Sequence, residues 1–161
     1  MNAHERQPLL TLPEVRDGLR EAIREVRKQR PFHVDAWVLL PDHMHCIWTL
    51  PPDDADFSAR WSIIKRLTTR RVGALAQGDE RSSPRRKAKR HGTLWQHRYW
   101  EHVIRDDEDY ARHVDYIHWN PAKHGYVERV ADWEWSTFHR YVRQGAYHVD
   151  WCSLNPDLEL E

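Results

Sequence analysis

The chain has 161 residues, of which 40% are hydrophobic, 31% are charged and 11% are aromatic. This length suits one ordinary domain, and the nine tryptophans exclude a disordered chain, because disordered segments are poor in aromatic residues. No stretch reaches the roughly 20 apolar residues of a membrane-spanning helix, and residues 1–12 do not have the pattern of a secretory signal. Cys46 and Cys152 form no CxxC motif and fit a reducing compartment. We therefore expect a cytoplasmic protein with no membrane partner.

The charge of the chain is balanced in total but uneven along the sequence. Lys and Arg number 25, as do Asp and Glu, yet residues 60–100 contain twelve basic and only two acidic residues. A concentrated positive segment is typical of proteins that bind polyanions, although a solvated loop beside helix-face arginines would give the same pattern. Residues 77–92 are rich in Gly, Ser, Pro and basic residues and predict a flexible basic insertion in a single domain over residues 1–150. Residues 151–161 form an acidic tail.

The first half of the chain predicts two helices around a strand pair. Residues 13–29 have apolar side chains at helical spacing behind Pro13, which suits a first helical turn. The sequence predicts two antiparallel strands, at 32–40 and 43–50, that are joined by a tight Pro-Asp turn. Residues 57–76 again show helical periodicity.

The second half predicts one more strand and two more helices. The strand is expected around residues 99–104, and Asp106 is expected to cap a helix that Pro121 ends after Asn120. Residues 133–143 predict a last short helix. The order of elements favours an α+β fold in which helices cover one face of an antiparallel sheet.

His43 and His45 are two residues apart in the second predicted strand. The period of a strand is two, so both imidazoles lie on one face and make half of a metal site. A His-x-His pair also occurs in ordinary strands, and the pair alone leaves both interpretations open.

The helix after Asp106 carries two stripes of side chains. Tyr110, Val114 and Ile117 form an apolar stripe, which predicts that Tyr110 is a packing residue. A polar stripe follows Asp109, His113, Tyr116 and Asn120. Tyr116 and Asn120 are one turn apart and could face the same ion, whereas a half-buried tyrosine and a helix-ending asparagine before a proline are equally compatible with the pattern.

Two histidines, a carboxamide and a tyrosine suit phosphodiester chemistry. A divalent cation held by neutral nitrogen and oxygen ligands is a Lewis acid for phosphoryl oxygens. A tyrosine hydroxyl can then attack phosphorus, giving a covalent phosphotyrosine and a free 3′-hydroxyl. The energy of the broken bond is retained, so a second hydroxyl can rejoin the strand.

Three separated segments resemble the REP-associated tyrosine transposases, which are single-tyrosine HUH nucleases related to bacterial insertion-sequence transposases. The segments are PFHVDAWVLLPDHMHCIWTL at 31–50, LWQHRYWEHVIR at 94–105 and HVDYIHWNPAKHG at 113–125. They occur in the family's order, and DWEWSTFHRY at 132–141 is similar to the family's C-terminal part.

The resemblance implies a ferredoxin-like fold and a complete active site. His43 and His45 match the HUH motif, Tyr116 the nucleophile and Asn120 the third ligand of Mg²⁺ or Mn²⁺. The implied activity is nicking and strand transfer on single-stranded DNA beside hairpin-forming repeats. The residues expected to hold the DNA are Lys65, Arg66, Arg70, Arg71 and Arg98.

The sequence departs from the family at its start, because residues 1–12 show no clear first strand. A hairpin DNA- or RNA-binding module without catalysis is therefore the alternative function. A zinc hydrolase is disfavoured, since the chain has no HExxH motif. The resemblance favours a monomer over a dimer.

Overall fold

The computed structural model describes residues 1–76, 94–96 and 99–151. Within them, β1 (His33–Leu39) and β2 (Met44–Thr49) form a two-stranded antiparallel sheet, which confirms the α+β class. Short 3-10 helices occupy His4–Arg6 and Val130–Asp132. The main elements are α1 (Pro13–Gln29), β1 (His33–Leu39), β2 (Met44–Thr49), α2 (Phe57–Ala76), α3 (Asp107–Lys123) and α4 (Phe138–Arg143).

The chain divides into two compact units, each built from several segments. Unit 1 contains Met1–His33, Pro41–His43 and Thr49–Tyr99, and unit 2 contains the remaining described residues. The single domain expected over residues 1–150 stays a prediction. The basic insertion at 77–92 and the acidic tail beyond Trp151 lie outside the described residues.

Helices α1 and α2 form the body of unit 1, with the bounds that apolar spacing predicted. They pass close to each other at Gly18, where an added Cβ would lie 3.5 Å from Arg71 Cβ and 3.7 Å from a methyl of Val72. The buried side chains are Val15, Leu19, Ala22 and Val26 from α1 and Trp61, Ile64 and Leu67 from α2.

The N-terminus of unit 1 supplies a two-residue strand fragment. Asn2 forms an antiparallel bridge to His43, and Ala3 forms one to Trp95. The Ala3 amide donates to the Asp42 carbonyl oxygen at 2.8 Å, on the His43 side of the fragment. A full first strand is absent from the described residues, as the sequence indicated, but this fragment still pairs on both of its sides.

Helix α3 packs against β1 in unit 2. Val38 and Leu40 from β1 and the segment after it share a buried cluster with Val114 and Ile117 of α3, and the partly buried Tyr110 packs against this cluster. The predicted apolar stripe of α3 is therefore confirmed, and it fixes which face of the helix is left for the polar stripe.

The predicted end of α3 at Pro121 is wrong, because the helix continues to Lys123. A proline this close to a helix end removes only one backbone donor, so the last turn still forms. Gly125, with a φ of 71°, ends the helix. Its amide donates to Ala122 at 2.9 Å and the Tyr126 amide donates to Pro121 at 3.0 Å, the hydrogen bonds of a Schellman motif.

Two other predicted elements differ from the structure. Residues 99–105 form no strand, and Trp100 and Val103 are 61% and 81% exposed, so this segment has no buried apolar face that would hold it in a sheet. Helix α4 starts at Phe138 and not at 133, because the preceding residues form backbone hydrogen bonds to β1 and a bridge from Ser136 to Val38. There the Leu39 amide donates to Trp135 and the Thr137 amide to Trp37, both at 2.9 Å.

Candidate active site and nucleic-acid interface

His43 lies in unit 1, directly before β2, and is only 5% exposed. Its Nδ1 is 2.7 Å from Asp42 Oδ1, and Arg6 donates to the other carboxylate oxygen of Asp42 at 3.2 Å. Burial lowers the pKa of His43, against the opposing effect of Asp42, and so favours the neutral ring. A carboxylate on one ring nitrogen orients the other nitrogen for a metal, as in many histidine metal ligands.

His45 and Tyr116 come together in unit 2. His45 lies in β2 and Tyr116 in α3, and both are half-buried. Their ring centroids are 5.4 Å apart with the planes at 86°, an edge-to-face contact. The predicted metal ligand and the predicted nucleophile are thus neighbours, although they are 71 residues apart in the sequence.

Asn120 follows one turn after Tyr116 and is fully buried. Its Nδ2 donates to the Tyr116 carbonyl oxygen at 3.4 Å, a long hydrogen bond. Its Oδ1 is buried without a hydrogen-bond partner among the described residues. A buried acceptor left unsatisfied is costly, and a cation ligand is one role that would satisfy it.

A lysine that the sequence patterns did not single out also approaches Tyr116. Lys123 Nζ lies 4.9 Å from the ring centroid of Tyr116 and 5.6 Å from that of Trp119, within the range of cation–π interactions. Lys123 is seven residues after Tyr116, a separation that places both on one helix face, and this spacing is the signal that could have identified it.

A separate groove in unit 1 carries three of the basic residues of α2. Its volume is about 590 Å³. Lys65 Nζ donates to the Gln96 carbonyl oxygen at 2.9 Å and lies 5.1 Å from the Tyr99 ring centroid, and burial lowers its pKa. Arg66 and Arg70 are exposed along the same helix. The groove is lined by Ser58, Trp61, Ser62, Lys65, Arg66, Thr69, Arg70, Leu94, Trp95, Gln96 and Tyr99.

The other two predicted DNA-binding arginines are placed differently. Arg71 does not line this groove, and its guanidinium pairs with Glu25 at 2.6 Å and Glu21 at 3.5 Å on α1. Arg98 lies outside the described residues. Of the five predicted DNA contacts, the structure therefore brings Lys65, Arg66 and Arg70 together.

Comparisons with known proteins identify the family of this chain. The family model described as Transposase IS200 like matches residues 1–120. The chain is 50% identical over 134 residues to a REP-associated tyrosine transposase of Escherichia coli (strain K12), which covers 83% of this chain and 71% of the relative. The chain belongs to the REP-associated tyrosine transposases. Membership makes it a DNA-processing enzyme.

Two further relatives of the family extend the comparison. A relative in Haemophilus influenzae (strain ATCC 51907 / DSM 11121 / KW20 / Rd) is 42% identical over 142 residues, 88% of this chain and 78% of the relative. A solved structure of a REP-associated tyrosine transposase bound to a REP hairpin matches with a TM-score of 0.78 and 45% identity, over 99% of this chain and 84% of that chain. No helix in the described parts of the chain combines the length and apolarity of a membrane span.

One more set of metal-ligating side chains occurs in the described residues. His102, Asp109 and His113 each offer a ligand atom, and these atoms lie within 4.8 Å of one another. Asp109 and His113 belong to the polar stripe of α3, whereas His102 lies in the segment for which the sequence predicts a strand. Its signal was the order His-x6-Asp-x3-His at the start of a helix.

Proposed function

We propose that this protein nicks single-stranded DNA at hairpin-forming, REP-like repeats and transfers the strand through a covalent bond to Tyr116. The contact between His45 and Tyr116 is the observation that carries the proposal. It pairs a metal-ligating side chain with a nucleophile, and Asn120 follows one turn later on α3. The relative of known structure that binds a REP hairpin supports the choice of substrate.

His43, His45 and Asn120 are the residues that would hold Mg²⁺ or Mn²⁺. The buried Oδ1 of Asn120 and the Asp42-bonded ring of His43 fit such a role, since both are oriented donors that carry no charge. When bound, the metal would act as a Lewis acid toward the scissile phosphodiester.

Tyr116 would attack the phosphorus through its phenolic oxygen. The new bond joins Tyr116 Oη to phosphorus, the bond from phosphorus to the 3′ oxygen breaks, and the phenolic proton ends on the released 3′-hydroxyl. Attack by a second 3′-hydroxyl would reverse these changes and rejoin DNA. Lys123 would hold the Tyr116 ring in place through their cation–π contact.

The groove of unit 1 would hold the DNA backbone. Arg66 and Arg70 present exposed cations, and Lys65 Nζ lies 5.1 Å from the Tyr99 ring centroid. Phosphates are attracted to such a cluster whatever the base sequence. We expect the protein to act as a monomer, which light scattering of the protein–hairpin complex would test.

A covalent-adduct assay tests the proposed reaction. Labelled single-stranded hairpin oligonucleotides from repeats of the host genome are incubated with protein and Mg²⁺ or Mn²⁺, and the products are separated under denaturing conditions. We expect a shifted band that requires the metal and disappears in Tyr116→Phe and His45→Ala. Tyr126→Phe, an exposed tyrosine after α3, is the matched control and should retain the band.

Two outcomes of this assay would contradict the proposal. An adduct that survives in Tyr116→Phe would place the nucleophile elsewhere. Tight binding of the hairpin with no adduct under any metal would favour the alternative function, a binding module without catalysis.

A further inference from the structure

A second cluster of metal-ligating side chains lies at the start of α3, and the proposed reaction does not use it. His102 is in the irregular segment before the helix, Asp109 is in the first turn and His113 is one turn further. Asp109 and His113 are four residues apart and share a helix face. Two imidazoles and a carboxylate are a ligand set of transition metals.

The distances within this cluster are close to those around a bound ion. His102 Nε2 is 2.7 Å from Asp109 Oδ2, and His113 Nδ1 is 3.2 Å from Asp109 Oδ1 and 2.8 Å from the Asp109 carbonyl oxygen. Metal–ligand bonds of 2.0–2.1 Å in a tetrahedral site separate neighbouring ligand atoms by about 3.3 Å. An ion could replace these hydrogen bonds once the His102 and His113 rings turn so that both nitrogens face it, and each ring proton would move to the other nitrogen of its ring.

The carboxylate of the cluster is held in place by its surroundings. The Asp109 side chain is only 2% exposed, and its backbone amide donates to the Asp106 side chain at 2.8 Å. The His102 and His113 rings stack at 4.6 Å with 8° between their planes, and the Trp100 ring lies parallel to His102 at 5.7 Å. The carboxylate therefore loses little conformational entropy when an ion binds, whereas the stacked rings have to turn, because a metal lies near the plane of each imidazole that it binds.

Two arginines oppose a cation at this position. Arg105 Nε is 3.4 Å from Asp109 Oδ2, and Arg112 Nη2 is 4.0 Å from Asp109 Oδ1. Their side chains are 68% and 52% exposed, so water screens their charge and both can swing into solvent. They would weaken an ion's binding without blocking its access to the carboxylate.

We propose that His102, Asp109 and His113 bind one divalent transition-metal ion, with Zn²⁺ as the favoured ion. Two neutral imidazoles favour Zn²⁺ over Mg²⁺, which prefers an octahedron of oxygen ligands. The ion would tie the irregular segment at 99–105 to α3, the helix that carries Tyr116 and Asn120. This site is additional to the proposed His43–His45 site and does not depend on it.

Calorimetric titration with ZnCl₂ tests the site in a background that removes the other histidine pair. The protein is the His43→Ala/His45→Ala double variant, dialysed against a chelator. We expect one Zn²⁺ per chain and at least a tenfold loss of affinity when His102→Ala is added. The matched control is His148→Ala, a histidine whose side chain is 79% exposed, and it should leave the affinity unchanged.

Two further measurements separate ligation from loss of folding. Asp109→Asn retains the size of the side chain and should also weaken Zn²⁺ binding at least tenfold, with an unchanged far-UV circular dichroism spectrum. Arg105→Gln removes an opposing charge and should tighten binding several-fold. The proposal would be overturned if the double variant bound no stoichiometric Zn²⁺. It would also be overturned if adding His102→Ala left the affinity for Zn²⁺ unchanged.

Discussion

The carboxamide of Asn120 is buried at a cost in stability. Its oxygen has no hydrogen-bond partner within the described residues, and its amide makes only the long contact to the Tyr116 carbonyl. Burying an unsatisfied polar atom costs about 1–3 kcal/mol, and an apolar group of similar shape avoids this cost. A residue chosen for packing alone would not be an asparagine.

We therefore expect Asn120→Leu to separate stability from activity. In metal-free buffer, the free energy of unfolding from urea titration should rise by about 1 kcal/mol, while the metal-dependent DNA adduct disappears. Thr68→Val is the control, because Thr68 is equally buried but its hydroxyl donates to Ile64 at 2.8 Å, and its loss should destabilise the fold. A large drop in stability for Asn120→Leu would instead show that the carboxamide is structural.

At the scale of elements, an ion pair positions the start of α2 in unit 1. Arg60 is 1% exposed, and its two terminal nitrogens donate to the Asp54 carboxylate at 3.0 and 2.6 Å. The same guanidinium also donates to the carbonyl oxygens of Pro31 at 3.0 Å and Asp56 at 2.8 Å. The Arg60 side chain therefore links the segment after α1 to the turn before α2. These contacts position α2 and the basic side chains on its exposed face.

The Asp54–Arg60 pair predicts a specific loss of stability in acid. Hydrogen bonds from Arg60 lower the pKa of Asp54 from 3.8 to about 2. A carboxyl group whose pKa is lower in the folded state contributes stability above its unfolded pKa, and this contribution is lost as the pH falls through its folded pKa. Urea midpoints should therefore fall between pH 4 and pH 2, and less so in Asp54→Asn.

Asp17→Asn is the matched control for this prediction, since Asp17 pairs with Arg20 at 3.4 Å on an exposed face of α1. It should keep the wild-type dependence on pH. If the urea midpoint of Asp54→Asn fell with pH as much as that of the wild type, the loss of stability in acid would come from other groups.

For the whole molecule, the basic residues of α2 are divided between structure and surface. Arg60 and Arg71 pair with carboxylates, whereas Arg66 and Arg70 are exposed at the groove. The net charge of zero does not reveal this division. Attraction of DNA depends on the local charge of the surface that faces it, and so on where the exposed cations lie.

Salt dependence of hairpin binding would distinguish these two groups. Each phosphate contact on a single strand contributes about 0.7 to the slope of log affinity against log salt concentration. Arg66→Gln and Arg70→Gln should each reduce the magnitude of the slope by about this amount. Arg71→Gln should leave the slope unchanged, and a reduction equal to that of Arg66→Gln would show that Arg71 contacts DNA as the sequence predicted.

The sequence by itself determined the elements whose signals are local. The helical spacing of apolar residues determined the bounds of α1 and α2, and the alternation around Pro41–Asp42 determined the strand pair. The motif residues also determined the family, because a short strand with two histidines and a helix with a tyrosine are recognisable without any knowledge of packing.

Only the tertiary structure decided the features that depend on partners distant in the chain. Residues 133–137 have a helical pattern but form no helix, because their backbone groups pair with β1 instead. Residues 99–105 have a strand-like pattern but no buried face to hold it. Arg71 is paired because α1 brings Glu25 beside it. Local propensities differ by a few tenths of a kcal/mol per residue, and a single buried hydrogen bond or ion pair outweighs them.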